Sequence, residues 1–307
     1  MVIDRETSRD LELFRTRDGK PGVFQTLDLT KTPGGRRALR VRFESPMVEP
    51  ELIRAVQDGV RFLHKERVGF DLDANLIQAV EQYLGSNWDV ASRARGTRFF
   101  LDALTVHLGY RDLFRHARDG VAVTLRFFSQ VIPFLKAIAE KGPPPEVMRP
   151  VENLLDLMDR LRLDDLRLSR RPWVIYRVDR YLRVERKADF QRFFALLYDL
   201  DALIAMAEGM EEKGLVFPEV EEGHDFLLEG EGVFHLFVQE PVGNSVALTP
   251  GRNLVFLTGP NMAGKTTYLK AVAVATYLGH VGMGVPAAMG VAARPRRVRT
   301  SAARPAP

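Results

Sequence analysis

The sequence predicts an α-helical domain followed by the first part of an α/β domain with a phosphate-binding loop. Apolar residues recur at helical spacing through most of the chain up to Gly214. After this glycine, short apolar runs replace the helical pattern, and glycine and β-branched residues become more frequent. In this second part, residues 259–266 match G-x-x-x-x-G-K-[ST] at every fixed position.

Composition separates the last twenty residues from the rest. The net charge is +4, yet residues 288–307 hold five arginines and no acid, and the remainder holds 39 basic and 40 acidic residues. The high pI is therefore a property of this tail and does not argue for general DNA binding. An Ala/Arg/Pro-rich stretch of this kind predicts disorder. We expect a helical domain over residues 1–214, a partial α/β domain over 215–287 and a disordered basic tail over 288–307.

Proline and glycine breakers divide the helical half. Amphipathic patterns predict helices after Pro33, after Pro50, and over 72–85, 121–138, 147–161 and 190–213. Lys141-Gly142-Pro143-Pro144-Pro145 ends one of them firmly. Two β-like runs, Trp173–Tyr176 and Tyr181–Val184, predict a small hairpin. Residues 86–119 show only moderate periodicity.

The second half predicts short strands and one helix. The strands are expected at 215–217, 226–228, 233–238, 246–248 and 254–257. Leu254–Leu257 is an apolar run typical of a buried parallel strand. Residues 271–293 carry no charge except at His280 and have the length of a membrane span. Three glycines and a proline interrupt their second half, so a helix buried under the sheet is the preferred interpretation of the first half.

The order of strand, loop and helix gives the motif its chemical meaning. Glycine lets the backbone approach phosphate oxygens, and the following helix presents its positive end. We expect Lys265 to reach the β- and γ-phosphates of a nucleotide and Thr266 to ligate Mg²⁺. The expected binding residues are Gly259, Pro260, Asn261, Met262, Ala263, Gly264, Lys265, Thr266 and Thr267. The alternative is a glycine-rich turn with a chance Lys-Thr pair.

The remaining residue patterns give little evidence for any other kind of functional site. Cysteine is absent, which excludes disulfides and thiolate metal sites. The six histidines show no zinc-ligand spacing, and Asp164-Asp165 is typical of a surface pair. The N-terminus is charged and lacks an apolar signal core, so a cytoplasmic location is expected.

Two stretches resemble the MutS family of mismatch-repair ATPases. Thr258–Leu269 contains Gly-Pro-Asn-Met at the start of the phosphate loop, which resembles the loop of this family. Leu278–Ala287 resembles the segment that follows it in the family. Residues 24–40, with Ser45-Pro46 and the helix at 52–63, are similar to the start of the MutS core and lever region. The resemblance implies a helical MutS core/lever domain followed by the first part of an ABC-like P-loop ATPase domain. It also implies ATP and Mg²⁺ as ligands, a mismatched or branched DNA duplex as partner, and a homodimer where the ATPase domain is complete.

The sequence departs from the family pattern in three places. The core-like motif begins near residue 24, which leaves no room for the mismatch-reading domain that precedes it in the family. Asn244 matches the family's adenine-side loop, but the aromatic residue expected there is missing. No apolar run ending in Asp-Glu follows residue 267, so the acidic Walker B strand is absent, as is the segment that completes the partner's site. We expect ATP binding with poor or no hydrolysis, by a truncated or frame-shifted product of a longer MutS-like gene.

Two functions stay open at this point. The first is a MutS-like, ATP-binding and DNA-binding protein of mismatch repair or recombination. The second is a non-enzymatic helical scaffold that binds DNA or a repair partner and has a vestigial phosphate loop. DNA contact would fall to the basic residues between 86 and 118, although charge runs are more often a solvated helix face. Those residues are Arg93, Arg95, Arg98, Arg111, Arg115 and Arg118. An unrelated phosphate-loop ATPase is a third alternative.

Overall fold

The described part of the chain is mostly helical and contains a small four-stranded sheet. The computed structural model describes residues 3–15, 18–86, 109–163, 166, 168–169, 171–221, 227–260 and 263–294. The helices described are α1 (Arg5–Asp10), α2 (Val23–Leu27), α3 (Pro33–Glu44), α4 (Pro50–Lys65), α5 (Ala74–Gly85), α6 (Arg111–Glu140), α7 (Pro145–Leu161), α8 (Pro172–Arg180), α9 (Lys187–Lys213) and α10 (Lys265–Val281). The strands described are β1 (Glu219–Val220), β2 (Leu227–Val233), β3 (Asn244–Leu248) and β4 (Met289–Arg294).

Helix α9 is the centre of the helical part. It packs against α3, α4 and α7, and it is buried along most of its length. The close approach of α3 depends on Gly34, because a Cβ there would overlap the ring of Tyr198 on α9. Gly214 ends α9 in the left-handed conformation that favours glycine. The helices predicted from periodicity are therefore present, and the longest of them organises the core.

Pro33 and Pro50 explain where two of these helices begin. Each proline occupies the first turn of its helix, where its missing N–H costs nothing. Thr32 caps α3 by accepting a hydrogen bond from the Gly35 N–H at 2.9 Å. The break predicted at residues 141–145 is also present, because α6 ends at Glu140 and α7 starts at Pro145.

The hairpin predicted around residues 173–184 is wrong. This stretch forms α8, followed by a π-helical turn over Tyr181–Glu185. Pro172 occupies the first helical turn, and Ile175, Val178 and Leu182 are buried. Packing of this face has outweighed the β-propensity of its branched and aromatic residues.

The sheet also differs from the prediction. Its order is β1-β4-β2-β3, with β4 parallel to β1 and antiparallel to β2, and β2 antiparallel to β3. Strand β4 lies where disorder was expected, so that expectation is wrong for residues 289–294. Composition missed it because β4 is held by backbone pairing to β1 and β2. Residues 295–307 lie outside the described part. The strand expected at 215–217 is reduced to a single bridge between Val216 and Val285.

Helix α6 is long and apolar enough to cross a membrane by length and composition alone. Its Val121, Phe128, Val131 and Leu135 are buried in the helical core. A core helix of this length meets the same criteria, so we treat α6 as part of the core.

Candidate functional site

The glycine-rich loop leads directly into α10. Gly259 has φ +148° and Gly264 has φ +81°, which are conformations that L side chains rarely adopt. Gly264 is the N-cap residue, and α10 begins at Lys265. A Cβ at Gly264 would meet no atom within 4 Å, so the space in front of the helix is open. The loop therefore brings backbone and the positive end of a 17-residue helix to an accessible place.

Lys265 turns back onto this loop. Its Nζ donates hydrogen bonds to the carbonyl oxygens of Gly259 and Pro260, both at 2.6 Å. The Pro260 oxygen also accepts a hydrogen bond from the Ala263 N–H at 3.3 Å. The ammonium group is thus held within the loop and remains exposed to solvent. Coulomb attraction between this exposed cation and a phosphate group would favour the approach of a phosphate to the loop.

A cavity of about 720 Å³ opens beside the loop. This volume lies within the range of small-molecule sites. Its lining from the loop and α10 is Thr258, Ala263, Gly264, Lys265, Thr267, Tyr268 and Ala271. Its lining from residues 233–257 is Val233, Phe234, His235, Val238, Pro241, Val242, Asn244, Ser245 and Leu257. None of these described lining residues is acidic.

Some of the expected binding residues cannot be placed around this cavity. Gly259, Pro260 and Thr266 are described but do not line it. Asn261 and Met262 fall outside the described residues. Asn244, which the family pattern suggested, does line it, and its side-chain amide donates to the Val242 oxygen at 3.0 Å.

The buried strand predicted before the loop is wrong. Residues 253–260 form no strand, and Leu254, Val255, Phe256 and Leu257 expose 67%, 46%, 83% and 38% of their surface. An apolar run becomes a buried strand only where neighbouring strands bind its backbone and layers cover its faces. No described segment supplies either. The loop therefore rests on α10 rather than on a sheet.

Helix α10 is fixed to both parts of the molecule. Near its start, the Tyr268 hydroxyl donates to the Ser245 oxygen of β3 at 3.0 Å. Further along, Lys270 pairs with Glu12 at 3.2 Å, and the Tyr277 hydroxyl donates to the Phe43 oxygen. These contacts join the helix that carries Lys265 to β3 and to the helical part of the chain.

His235 is a cavity residue that sequence reasoning missed. Its Nδ1 accepts a hydrogen bond from the Phe237 N–H at 3.3 Å, so the neutral ring carries its proton on Nε2. Burial lowers its pKa, and the charge of Lys270 lowers it further. No local spacing connects His235 to the loop, whereas Tyr268 stands three residues after Lys265 and could have been found from helical spacing.

The remaining sequence candidates do not assemble into a second site. Asp164, Asp165 and the arginines at 93, 95 and 98 lie outside the described residues. Arg115 and Arg118 on α6 are exposed and pair with Asp112 and Asp119. Among the described residues, no group of three or more His, Asp or Glu side chains could hold a metal ion.

We predict that the end of α10 is sensitive to acid. His280 Nδ1 lies 2.7 Å from the Met47 oxygen, and the Met47 N–H donates to the His280 oxygen at 2.8 Å. Burial lowers the pKa of His280 below its ordinary value, while the Met47 bond opposes this. The folded state then binds fewer protons than the unfolded chain, so stability is complete above about pH 6.5 and falls as the pH decreases.

Urea unfolding between pH 7.5 and 5.5 measures this effect. His280→Gln should reduce the slope of unfolding free energy against pH by at most about 1.4 kcal/mol per pH unit. His235→Gln is a second variant for which a reduction is expected, because burial lowers its pKa in the same direction. A slope unchanged in His280→Gln would contradict the assignment.

Comparison with known protein families identifies the class of protein that combines this helical part with a glycine-rich loop at the start of a helix. The model of MutS domain III matches residues 6–143, and the model of MutS domain V matches residues 255–300. The chain is therefore MutS-like, with domain III sequence in its helical part and domain V sequence around the loop. This confirms the resemblance inferred from the two separate motifs.

Curated relatives agree with these matches. The chain is 33% identical over 138 residues to the DNA mismatch repair protein MutS of Aquifex pyrophilus. It is 31% identical over 105 residues to the protein of the same name from Shouchella clausii. The alignments cover 44% and 33% of this chain, but only 16% and 12% of those relatives. The chain thus matches a small part of their length.

Proposed function

We propose that this chain binds ATP with Mg²⁺ through a Walker A loop at residues 259–267. The observation that carries the proposal is the Lys265 ammonium group, held inside a glycine-bounded loop at the start of α10. The loop fits a polyphosphate, because its glycines leave the backbone open and the cavity beside it is large enough. Lys265 and the loop N–H groups would hold the phosphates, and Thr266 would ligate the metal. We also propose that this loop belongs to an α/β domain of the P-loop class.

Hydrolysis by the chain alone is expected to be poor or absent. Phosphoryl transfer depends on a carboxylate that positions Mg²⁺ and water, together with charge stabilisation around the γ-phosphate. No acidic residue lines the cavity in the described part of the chain. We therefore propose that this chain binds ATP, and that the carboxylate needed for hydrolysis is not part of this cavity.

The wider role we propose is in DNA mismatch repair or recombination, on mismatched or branched duplex DNA. It is supported by the domain III and domain V matches and by two relatives named as mismatch repair proteins. A cytoplasmic location and homodimerisation through complete ATPase domains belong to the same proposal. Binding of duplex and branched DNA, measured over a salt series, tests the DNA part separately.

Thermal unfolding with Mg-ATP tests the nucleotide proposal. Free ligand at 100-fold over its dissociation constant should stabilise the wild type by about 2.7 kcal/mol. Lys265→Ala should remove this stabilisation, because the loop loses its cation. Lys136→Ala, which removes an exposed lysine on α6, is the matched control and should retain it. Equal stabilisation of wild type and Lys265→Ala would contradict the proposal.

One observation favours a second function, the helical scaffold with a vestigial loop. The segment before the loop is exposed and forms no strand, which leaves the loop supported from one side only. A scaffold would bind DNA or a repair partner through residues 20–213 without responding to nucleotide. Absence of any Mg-ATP stabilisation, together with retained DNA binding, would favour this function over the first.

A further inference from the structure

His235 lies in the wall of the cavity beside the glycine-rich loop, on the chain that links β2 to β3. The Phe234 N–H, one residue earlier, donates to the Pro286 oxygen at 3.0 Å, and the Val238 N–H donates to the His235 oxygen at 3.2 Å. The Phe237 ring packs edge-on against the imidazole, with the ring centres 5.4 Å apart. The imidazole is therefore held at the cavity by its own backbone and by a neighbouring ring.

The surroundings of this imidazole favour its neutral form. Its Nδ1 accepts a hydrogen bond from the Phe237 N–H at 3.3 Å, and a protonated Nδ1 cannot accept. Burial lowers the pKa of His235 and Lys270 on α10 lowers it further, whereas Glu12, between α1 and α2, raises it. Lys270 and Glu12 also pair with each other at 3.2 Å, so their charges partly offset each other. Lys265 adds a positive charge to the same cavity, in which no described lining residue is acidic.

A bound polyphosphate would reverse this balance. Mg-ATP carries a net negative charge, and its phosphates would lie beside Lys265 in the cavity that His235 also lines. A nearby negative charge stabilises the protonated form of an imidazole and raises its pKa. The hydrogen bond that opposes protonation is long and joins two neutral groups, and such bonds are weaker than those made to an ion. The attraction to the phosphates therefore outweighs the loss of this bond.

We propose that His235 is a further anion-binding residue of this cavity and takes up a proton when Mg-ATP binds. The proton comes from solvent and adds to Nδ1, because Nε2 already carries one, and the Phe237 N–H loses its acceptor in this step. The inference rests on the proposed function, because Mg-ATP is the anion that charges the ring. The bound form then holds more protons than the free form, so the affinity for Mg-ATP increases as the pH decreases.

Calorimetric titration of the full chain with Mg-ATP, in buffers of different ionisation enthalpy, counts the protons taken up on binding. Between pH 7.5 and 6.0, the wild type should take up more protons than His235→Gln, by at most about one per chain. Glutamine can still accept from the Phe237 N–H but cannot become charged. At pH 6.0 the wild type should bind Mg-ATP about threefold more tightly than His235→Gln, and at pH 7.5 the two should bind alike.

His116→Gln is the matched control, because this exposed histidine on α6 does not line the cavity. It should keep the proton uptake of the wild type. Comparison of each variant with the wild type cancels the protons that the nucleotide itself exchanges. Nuclear magnetic resonance of the wild type gives a second measurement that needs no variant protein for its result. The pKa of the His235 imidazole should increase when Mg-ATP is added.

The possible failures are distinguishable. Equal proton uptake by the wild type and His235→Gln, with a His235 pKa that Mg-ATP leaves unchanged, would overturn the proposal for His235. The proposed nucleotide site would stand in that case, because Mg-ATP would still bind. A wild type that binds no Mg-ATP at either pH would contradict the proposed function, and the role of His235 with it.

Discussion

Asp179→Ala is expected to destabilise the folded protein by about 3–5 kcal/mol. Asp179 on α8 accepts two hydrogen bonds from Arg183, at 2.7 and 2.6 Å, and one from the Tyr83 hydroxyl at 2.8 Å. Both members of the ion pair are buried, with 5% of each side chain exposed. Truncation removes both of these hydrogen bonds from the buried Arg183 guanidinium, which also donates to the Ser86 oxygen at 3.0 Å. An uncompensated buried charge is among the largest single penalties in a folded protein.

The exposed pair on α6 provides the matched control. Arg115 and Asp112 are also 2.6 Å apart, but 69% and 92% of their side chains are exposed. Water screens such a pair, so Asp112→Ala should cost only a small fraction of the loss in Asp179→Ala. Chemical denaturation of both variants measures the difference. Equal losses would show that burial does not determine the contribution of the α8 pair.

Asp201→Ala is expected to cost about 3 kcal/mol. This carboxylate on α9 is 1% exposed and accepts bonds from the Lys31 N–H at 3.0 Å, the Thr32 N–H at 3.0 Å and the Thr32 hydroxyl at 2.6 Å. Thr32 in turn caps α3. Removing the carboxylate leaves two backbone donors unpaired and loosens the cap, which weakens the packing of α3 on α9.

Asp4 is the exposed counterpart of Asp201 and serves as its matched control. It accepts from the N–H and the hydroxyl of Thr7 at 2.8 and 2.7 Å, which is the same pattern as the pairing of Asp201 with Thr32, but on the surface. Asp4→Ala should therefore change the unfolding free energy far less than Asp201→Ala, because water replaces the lost partner. Thermal or urea unfolding of both variants gives the result. A loss in Asp4→Ala as large as that in Asp201→Ala would contradict the argument.

Much of the helical half could be predicted because its signals are local. Pro33, Pro50 and Gly214 stand at helix ends, and each acts through its own backbone conformation. The failure at residues 173–184 has a non-local cause, since burial of Ile175 and its neighbours outweighs their β-propensity. No pattern within that stretch carries this information.

The candidate site likewise has features that local sequence signals predict and features that depend on distant parts of the chain. The left-handed glycines at 259 and 264 and the start of α10 at Lys265 follow from one short motif, whereas the role of Lys265 toward a phosphate stays a prediction. The strand before the loop could not be judged locally, because burial of Leu254–Leu257 depends on strands elsewhere. His235 reaches the cavity through the path of the chain between β2 and β3. That path is set by strand pairing and not by residue spacing.

The central claim is that the loop at residues 259–267 binds the phosphates of a nucleotide, and a calorimetric titration with Mg-ATP tests it most directly. We predict one saturable site for Mg-ATP per chain, and much weaker binding of adenosine, because the phosphate contacts supply the affinity. Lys265→Ala should show no measurable Mg-ATP binding. A wild type that binds no Mg-ATP, or that binds it no better than Lys265→Ala does, would contradict the claim.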